Sequence, residues 1–97
     1  MQNELNTFID TIKADYASWS DNKDSIERFN SSINVIDGKK FIKISASGGA
    51  HSFICKEDGP QFKRGDILKA ASWATPAKNF ARGNIIVGGY KVRWTGA

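Results

Sequence analysis

Residues 33–56 read INVIDGKKFIKISASGGAHSFICK, and this stretch decides the fold. Three apolar-rich runs are separated by two glycine-bearing reversals. Asp37-Gly38 is a strong two-residue hairpin signal, because both central residues of such a turn take positive φ. It sets Ile36 opposite Lys39, Asn34 opposite Phe41 and Ile33 opposite Ile42. Ser47-Gly48-Gly49-Ala50 makes the second reversal, with Ala46 opposite His51, Ile44 opposite Phe53 and Ile42 opposite Cys55. The two registers agree on one apolar face: Ile33, Val35, Ile42, Ile44, Ala46, Phe53 and Cys55. The agreement carries weight because a one-residue slip would move a strand's whole apolar set to the other face. That other face holds Lys43, Ser45, Ser52 and Lys56, with Phe41 and Ile54 as apolar exceptions.

Upstream, Leu5, Phe8, Ile9, Ile12, Tyr16 and Trp19 fall at helical spacing and predict an amphipathic helix over residues 4–19. Asn3 is its expected N-cap, with Glu4 in the first turn. Residues 20–30 are polar. They are either a short turn capped by Asp24, carrying Ile26 and Phe29, or a plain loop. Downstream, Glu57 to Gly65 is a loop containing Gly59-Pro60. A fourth strand is expected from Asp66 to Trp73, interrupted at Thr75-Pro76 because proline cannot donate to a ladder. Residues 76–84 form a helical turn or an ordered loop. Ile85 to Trp94 is a last strand region, with a hairpin about Gly88-Gly89 as one option. Tyr90, Val92 and Trp94 then share a face, and Lys91 and Arg93 take the other. This order predicts a single α+β domain spanning residues 1–97. An N-terminal amphipathic helix packs on one face of a four- to five-stranded antiparallel sheet, and a cystatin-like arrangement fits.

Of the 97 residues, 40% are hydrophobic and 25% charged, which argues against a disordered chain. No apolar run is long enough to span a bilayer, so no membrane partner is expected. A lone cysteine, Cys55, excludes an internal disulfide. Met1-Gln2-Asn3-Glu4 lacks the start of a signal peptide, and a cytoplasmic location is expected. The net charge of +4 is unevenly spread. Residues 1–59 hold seven basic and nine acidic side chains, whereas residues 60–97 hold seven basic ones against Asp66 alone. Such asymmetry points to an anionic partner for the second half.

Chemistry-bearing residues are sparse. His51 and Cys55 both fall on the expected buried face, about 13 Å apart along a strand, too far for a Cys–His pair. No ligand set calls for a metal or a cofactor. Glu57-Asp58 reads as a solvated turn, and the glycine pairs match no phosphate-binding fingerprint. Arg64-Gly65-Asp66 spells an adhesion tripeptide, which is a coincidence in a chain expected to be cytoplasmic. No catalytic residue is assigned, and a non-enzymatic protein is expected.

The segment from Phe62 to Ile85 interleaves basic and aromatic side chains with small ones: Ala70, Ala71, Ser72, Ala74, Ala77 and Ala81. Structurally, small residues let a crossing loop pack tightly under Trp73. Functionally, the pattern suits a nucleic-acid surface. Lys69, Lys78, Arg82, Lys91 and Arg93 would then meet phosphates, and Trp73 and Phe80 would stack on bases.

The same segment carries a resemblance. Gly65-Asp66-Ile67-Leu68-Lys69-Ala70-Ala71-Ser72-Trp73, then Pro76-Ala77-Lys78 and Ala81-Arg82-Gly83-Asn84-Ile85, resembles a block shared by small uncharacterised proteins of tailed bacteriophages. The preceding strand, His51 to Lys56, fits their layout, although here the chain runs on past Ile85. The resemblance implies a phage accessory protein in the cytoplasm of an infected bacterium, and it brings no activity with it. Two roles are therefore weighed: a nucleic-acid-contacting protein, and a modulator or inhibitor that binds an acidic host protein. A homodimer through an exposed sheet edge is a variant of the second.

Overall fold

A computed structural model describes all of residues 1–97. The first element, α1 (Gln2–Trp19), buries Leu5, Phe8 and Ile12. The spacing 5, 8, 12 is one stripe of a 3.6-residue repeat, so the helix presents a single wet-excluding side. It starts two residues before the expected boundary, with Met1 rather than Asn3 at the N-cap. A second helix, α2 (Lys23–Ser32), replaces the expected turn or loop. The cap is Asn22, not Asp24: its side-chain oxygen accepts a hydrogen bond from the Ser25 backbone N–H at 3.0 Å. Phe29 is the one fully committed side chain of α2. It stacks flat on Tyr16 of α1, with ring centroids 4.3 Å apart, and so fixes the two helices together.

Four antiparallel strands follow: β1 (Asn34–Asp37), β2 (Phe41–Ala46), β3 (Gly49–Cys55) and β4 (Ile67–Lys69). They lie in the order β1-β2-β3-β4, each beside its neighbour in sequence. Both hairpin registers differ from the expected ones. In the first, the reversal centres on Lys39-Lys40, and the Gly38 N–H donates to the Phe41 carbonyl at 2.9 Å. Ile36 consequently lies opposite Lys43 rather than Lys39. This slide centres β1 on β2 and leaves the faces unchanged, because the partner moves by an even number of residues. Gly38 is needed for close approach: a Cβ there would sit 2.7 Å from the Phe41 carbonyl oxygen.

The second hairpin changes the faces. The turn is only Ser47-Gly48, both at positive φ, which pairs Ala46 with Gly49 and Ser45 with Ala50. One step further, Ile44 pairs with Ser52, so His51 is an extra residue on β3. This β-bulge reverses the alternation of the rest of the strand. Ile42 therefore faces Ile54, not Cys55, and Lys43 faces Phe53. The expected single apolar face is corrected accordingly. Ile54, assigned to the polar side, joins Ile42 and Ile44 in the main core with Leu5, Phe8, Ile12, Phe29, Ile67, Ile85 and Val92. Ser52 also turns to that side. Phe53 and Cys55 move to the opposite side with Leu68, where Phe41, Phe62 and Ala81 pack against them. Val35, expected in the core, is half exposed on the edge strand β1.

Strand β4 covers three residues rather than residues 66–73, because the chain turns sharply at residues 71–75. No strand forms over residues 85–94. Residues 82–85 instead run beside β4, where Arg82 N–H donates to the Ile67 carbonyl and Ile67 N–H to the Gly83 carbonyl. The turn expected at Gly88-Gly89 lies at residues 85–87, closed by the Gly88 N–H on the Asn84 carbonyl at 2.9 Å, and residues 90–94 beyond it do show the expected alternation. Val92 is buried, Tyr90 and Trp94 pack on the main core, and Lys91 and Arg93 are exposed. The Trp94 N–H donates to the Asp15 carboxylate at 2.8 Å, which clamps this segment to α1. The helices thus lie across one sheet face, and that layer is sealed by residues 90–94. No helix is long and apolar enough to cross a membrane.

Candidate nucleic-acid interface

The side of the sheet away from the helices is thinly covered. Its apolar centre, Phe53, Cys55 and Leu68, is roofed by the loops after β3 and β4 rather than by a helix. Residues 71–75 form a tight turn in which the Ala71 and Ser72 N–H groups both donate to the Thr75 carbonyl, at 2.9 and 3.1 Å. Ala77 N–H donates to the Lys69 carbonyl at 2.7 Å and closes the base of that turn. Small side chains at 70, 71, 72, 74 and 77 let the turn close this tightly, and Trp73 is left at its tip, 52% exposed.

From Trp73 a row of alternating rings and cations crosses the sheet. The Lys43 Nζ lies 4.1 Å from the Trp73 ring centroid and 5.7 Å from that of Phe53. Phe53 meets Phe41 edge to face at 6.1 Å, and Lys78 Nζ lies 5.8 Å from the Phe41 ring. A separate pair on the adjoining loop sets the Arg82 guanidinium 4.1 Å from the Phe80 ring, which is 56% exposed. Each contact contributes about 0.5–1 kcal/mol at an exposed site. More important for binding, Lys43, Lys78 and Arg82 have no carboxylate within ion-pair distance. The one ion pair between side chains joins Lys56 and Asp37 at 2.7 Å.

Of the seven residues expected to bind, Phe80 and Arg82 therefore pair with each other on the adjoining loop, while Trp73 and Lys78 belong to the row across the sheet. Lys43 belongs with them and was missed, because on the expected register it faced Ile54 on the polar side. Lys69, Lys91 and Arg93 are elsewhere: they border a cleft between the end of β4 and the 90–97 segment. The seven do not form one surface.

His51 and Cys55 are also separated, correcting their expected common face. His51 turns toward the helices and meets Phe8 edge to face at 6.1 Å, while Cys55 lies under the opposite roof. The His51 Nε2–H donates to the Arg93 carbonyl at 2.7 Å, which leaves Nδ1 to accept from the Ser52 hydroxyl at 2.9 Å. Burial lowers the His51 pKa, and its hydrogen bond to Arg93 offsets this in part. Cys55 is pushed up to about 11, by burial first and the nearby Asp66 carboxylate second. Cys55 is accordingly expected to react with an aromatic disulfide reagent only as fast as the domain opens. Rapid labelling of the folded protein at pH 7.5 would contradict its placement.

The acidic residues noted in the sequence serve their own loops. The Asp58 carboxylate accepts from the Arg64 N–H at 2.9 Å. That of Asp66 accepts from the Lys63 N–H and from the Asn84 side-chain amide, so the adhesion-like tripeptide has its carboxylate turned to internal partners. No family model, curated protein or solved structure matches the chain.

Proposed function

We propose that the protein binds single-stranded nucleic acid on the sheet face opposite its helices. The observation that carries this reading is the row Trp73–Lys43–Phe53–Phe41–Lys78, with Phe80 and Arg82 beside it. The exposed rings of Trp73 and Phe80 offer a π-face to any base, Phe53 being buried beneath the row, and unpaired cations beside them meet the phosphates between bases. Recognition of this kind is weakly selective for sequence and strongly dependent on salt. The role needs no catalytic group, and it suits a small accessory protein of the phage type.

Fluorescence anisotropy with labelled single-stranded DNA and RNA of 12–15 nucleotides tests the reading. Three phosphate contacts predict a slope of log K against log salt of about −2. Trp73→Ala and Phe80→Ala should each weaken binding at least fivefold, since stacking contributes about 1–3 kcal/mol per base. Absence of binding at low salt, or equal binding by both variants, would refute it.

One observation favours a second reading, in which the partner is a strand. β1 is an edge strand with Val35 and Ile36 both more than 40% exposed, and such edges pair readily with another chain. On that reading β1 carries a second copy of the chain or an acidic host protein, and the sheet face plays no part.

A further inference from the structure

The three cations left out of the stacking row converge on a different feature. Lys69, at the end of β4, and Lys91 and Arg93, from the far segment, border one cleft of about 410 Å³. His51 and Thr95 also line it, and its apolar lining is limited to alanines. No side-chain carboxylate takes part, and none of the three cations is in an ion pair. The chain end at Ala97 borders the cleft without pairing with any of them. Pockets for neutral organic ligands are mostly apolar, and this one is not.

The cleft is also held in shape. The Arg93 carbonyl accepts from His51 Nε2–H at 2.7 Å and from the Gly96 N–H at 3.1 Å, and the Ala97 N–H reaches the His51 carbonyl at 3.4 Å. Val92, buried between Lys91 and Arg93, sends both charged neighbours outward on the same side. Lys69 pairs in register with Ser52, next to the bulge that positions His51. Like charges gathered with no Asp or Glu among them repel one another. A guanidinium offers a planar fork of donors to an oxyanion, and two ammonium groups supply point charges.

We infer that this cleft is a binding site for a compact phosphate group, either a free phosphate anion or the terminal phosphate of a nucleotide chain. It lies apart from the stacking row, so the two readings fail separately.

The test is an amide NMR titration of the intact chain at low salt. The probes are pyrophosphate, and a trinucleotide with and without a 5′-phosphate. Saturable shifts at Ala50, Thr95 and Gly96 with pyrophosphate support a free-anion site. Shifts there with only the 5′-phosphorylated trinucleotide support a chain-end site. In either case Arg93→Gln and Lys91→Gln should each weaken binding about tenfold, the size of one charge-assisted hydrogen bond. Val87→Ala, at an exposed position outside both surfaces, should leave it unchanged. No saturable shift with any probe, or shifts that persist in both glutamine variants, would overturn the inference. Because Lys91 and Arg93 are exposed, both variants are expected to fold.

Discussion

Ile54→Ala is expected to destabilise the domain by about 2–5 kcal/mol, the cost of emptying a fully buried aliphatic position. Ile54 is 0% exposed and stands at the centre of the main core, opposite Ile42 and beside Ile67. On an unbulged β2–β3 hairpin the same residue would face the side of Lys43 and the smaller cluster, away from Ile42 and Ile67. Val35→Ala is the internal comparison: Val35 is 47% exposed on the edge strand, and its loss should stay below about 1 kcal/mol. Urea denaturation of the three proteins decides the matter. Domains of this size have about 5–15 kcal/mol in total, so the Ile54 variant should lose a large share of its stability. Equal midpoints for Ile54→Ala and Val35→Ala would contradict the burial of Ile54 in the main core.

His51→Ala is the second large effect, expected at about 2–4 kcal/mol. It removes an imidazole that is only 3% exposed, and it leaves the Ser52 hydroxyl without this acceptor and the Arg93 carbonyl with the Gly96 N–H alone. The same residue sets a pH dependence. Burial depresses its pKa in the folded chain below the ordinary value of 6.5, so the unfolded chain takes up the proton more readily. The contribution of the neutral ring is therefore fully present above about pH 6.5 and is lost as pH falls below it toward the folded pKa. Thermal melts from pH 8 to pH 5 should show the midpoint of the parent protein falling through this window. His51→Gln, which cannot titrate, should start lower and change less. A parent midpoint that rises on acidification would contradict the burial of the neutral ring.

The elements that were legible in the sequence are those with a strong period and no exception. The α1 stripe at 5, 8 and 12 needs no tertiary information, and neither does the alternation of Tyr90, Val92 and Trp94. α2 was hidden because Ile26 and Phe29 alone interrupt a polar run, and its stability comes from Phe29 stacking on Tyr16, a tertiary contact. The faces of β3 were misread because a short turn followed by a bulge leaves no distinct mark at residues 47–51. The two apolar exceptions, Phe41 and Ile54, were the available sign, since both are accounted for once the alternation reverses. The interface was half legible for the same reason. Trp73, Lys78, Phe80 and Arg82 stand in one interleaved run, whereas Lys43 joins them only through a cross-strand register. Lys69, Lys91 and Arg93 share their sign of charge with that run, but the chain carries them to another place.

The bulge has a consequence for how this gene can change. Loss of one residue at the tip of that hairpin is absorbed there: without the extra residue, Ile44 still meets Ser52 and Ile42 still meets Ile54, so Phe53, Ile54 and Cys55 keep their sides. Replacing His51 itself is the costlier change, because its ring joins Ser52 to Arg93 across the chain and no neighbour can take over both bonds.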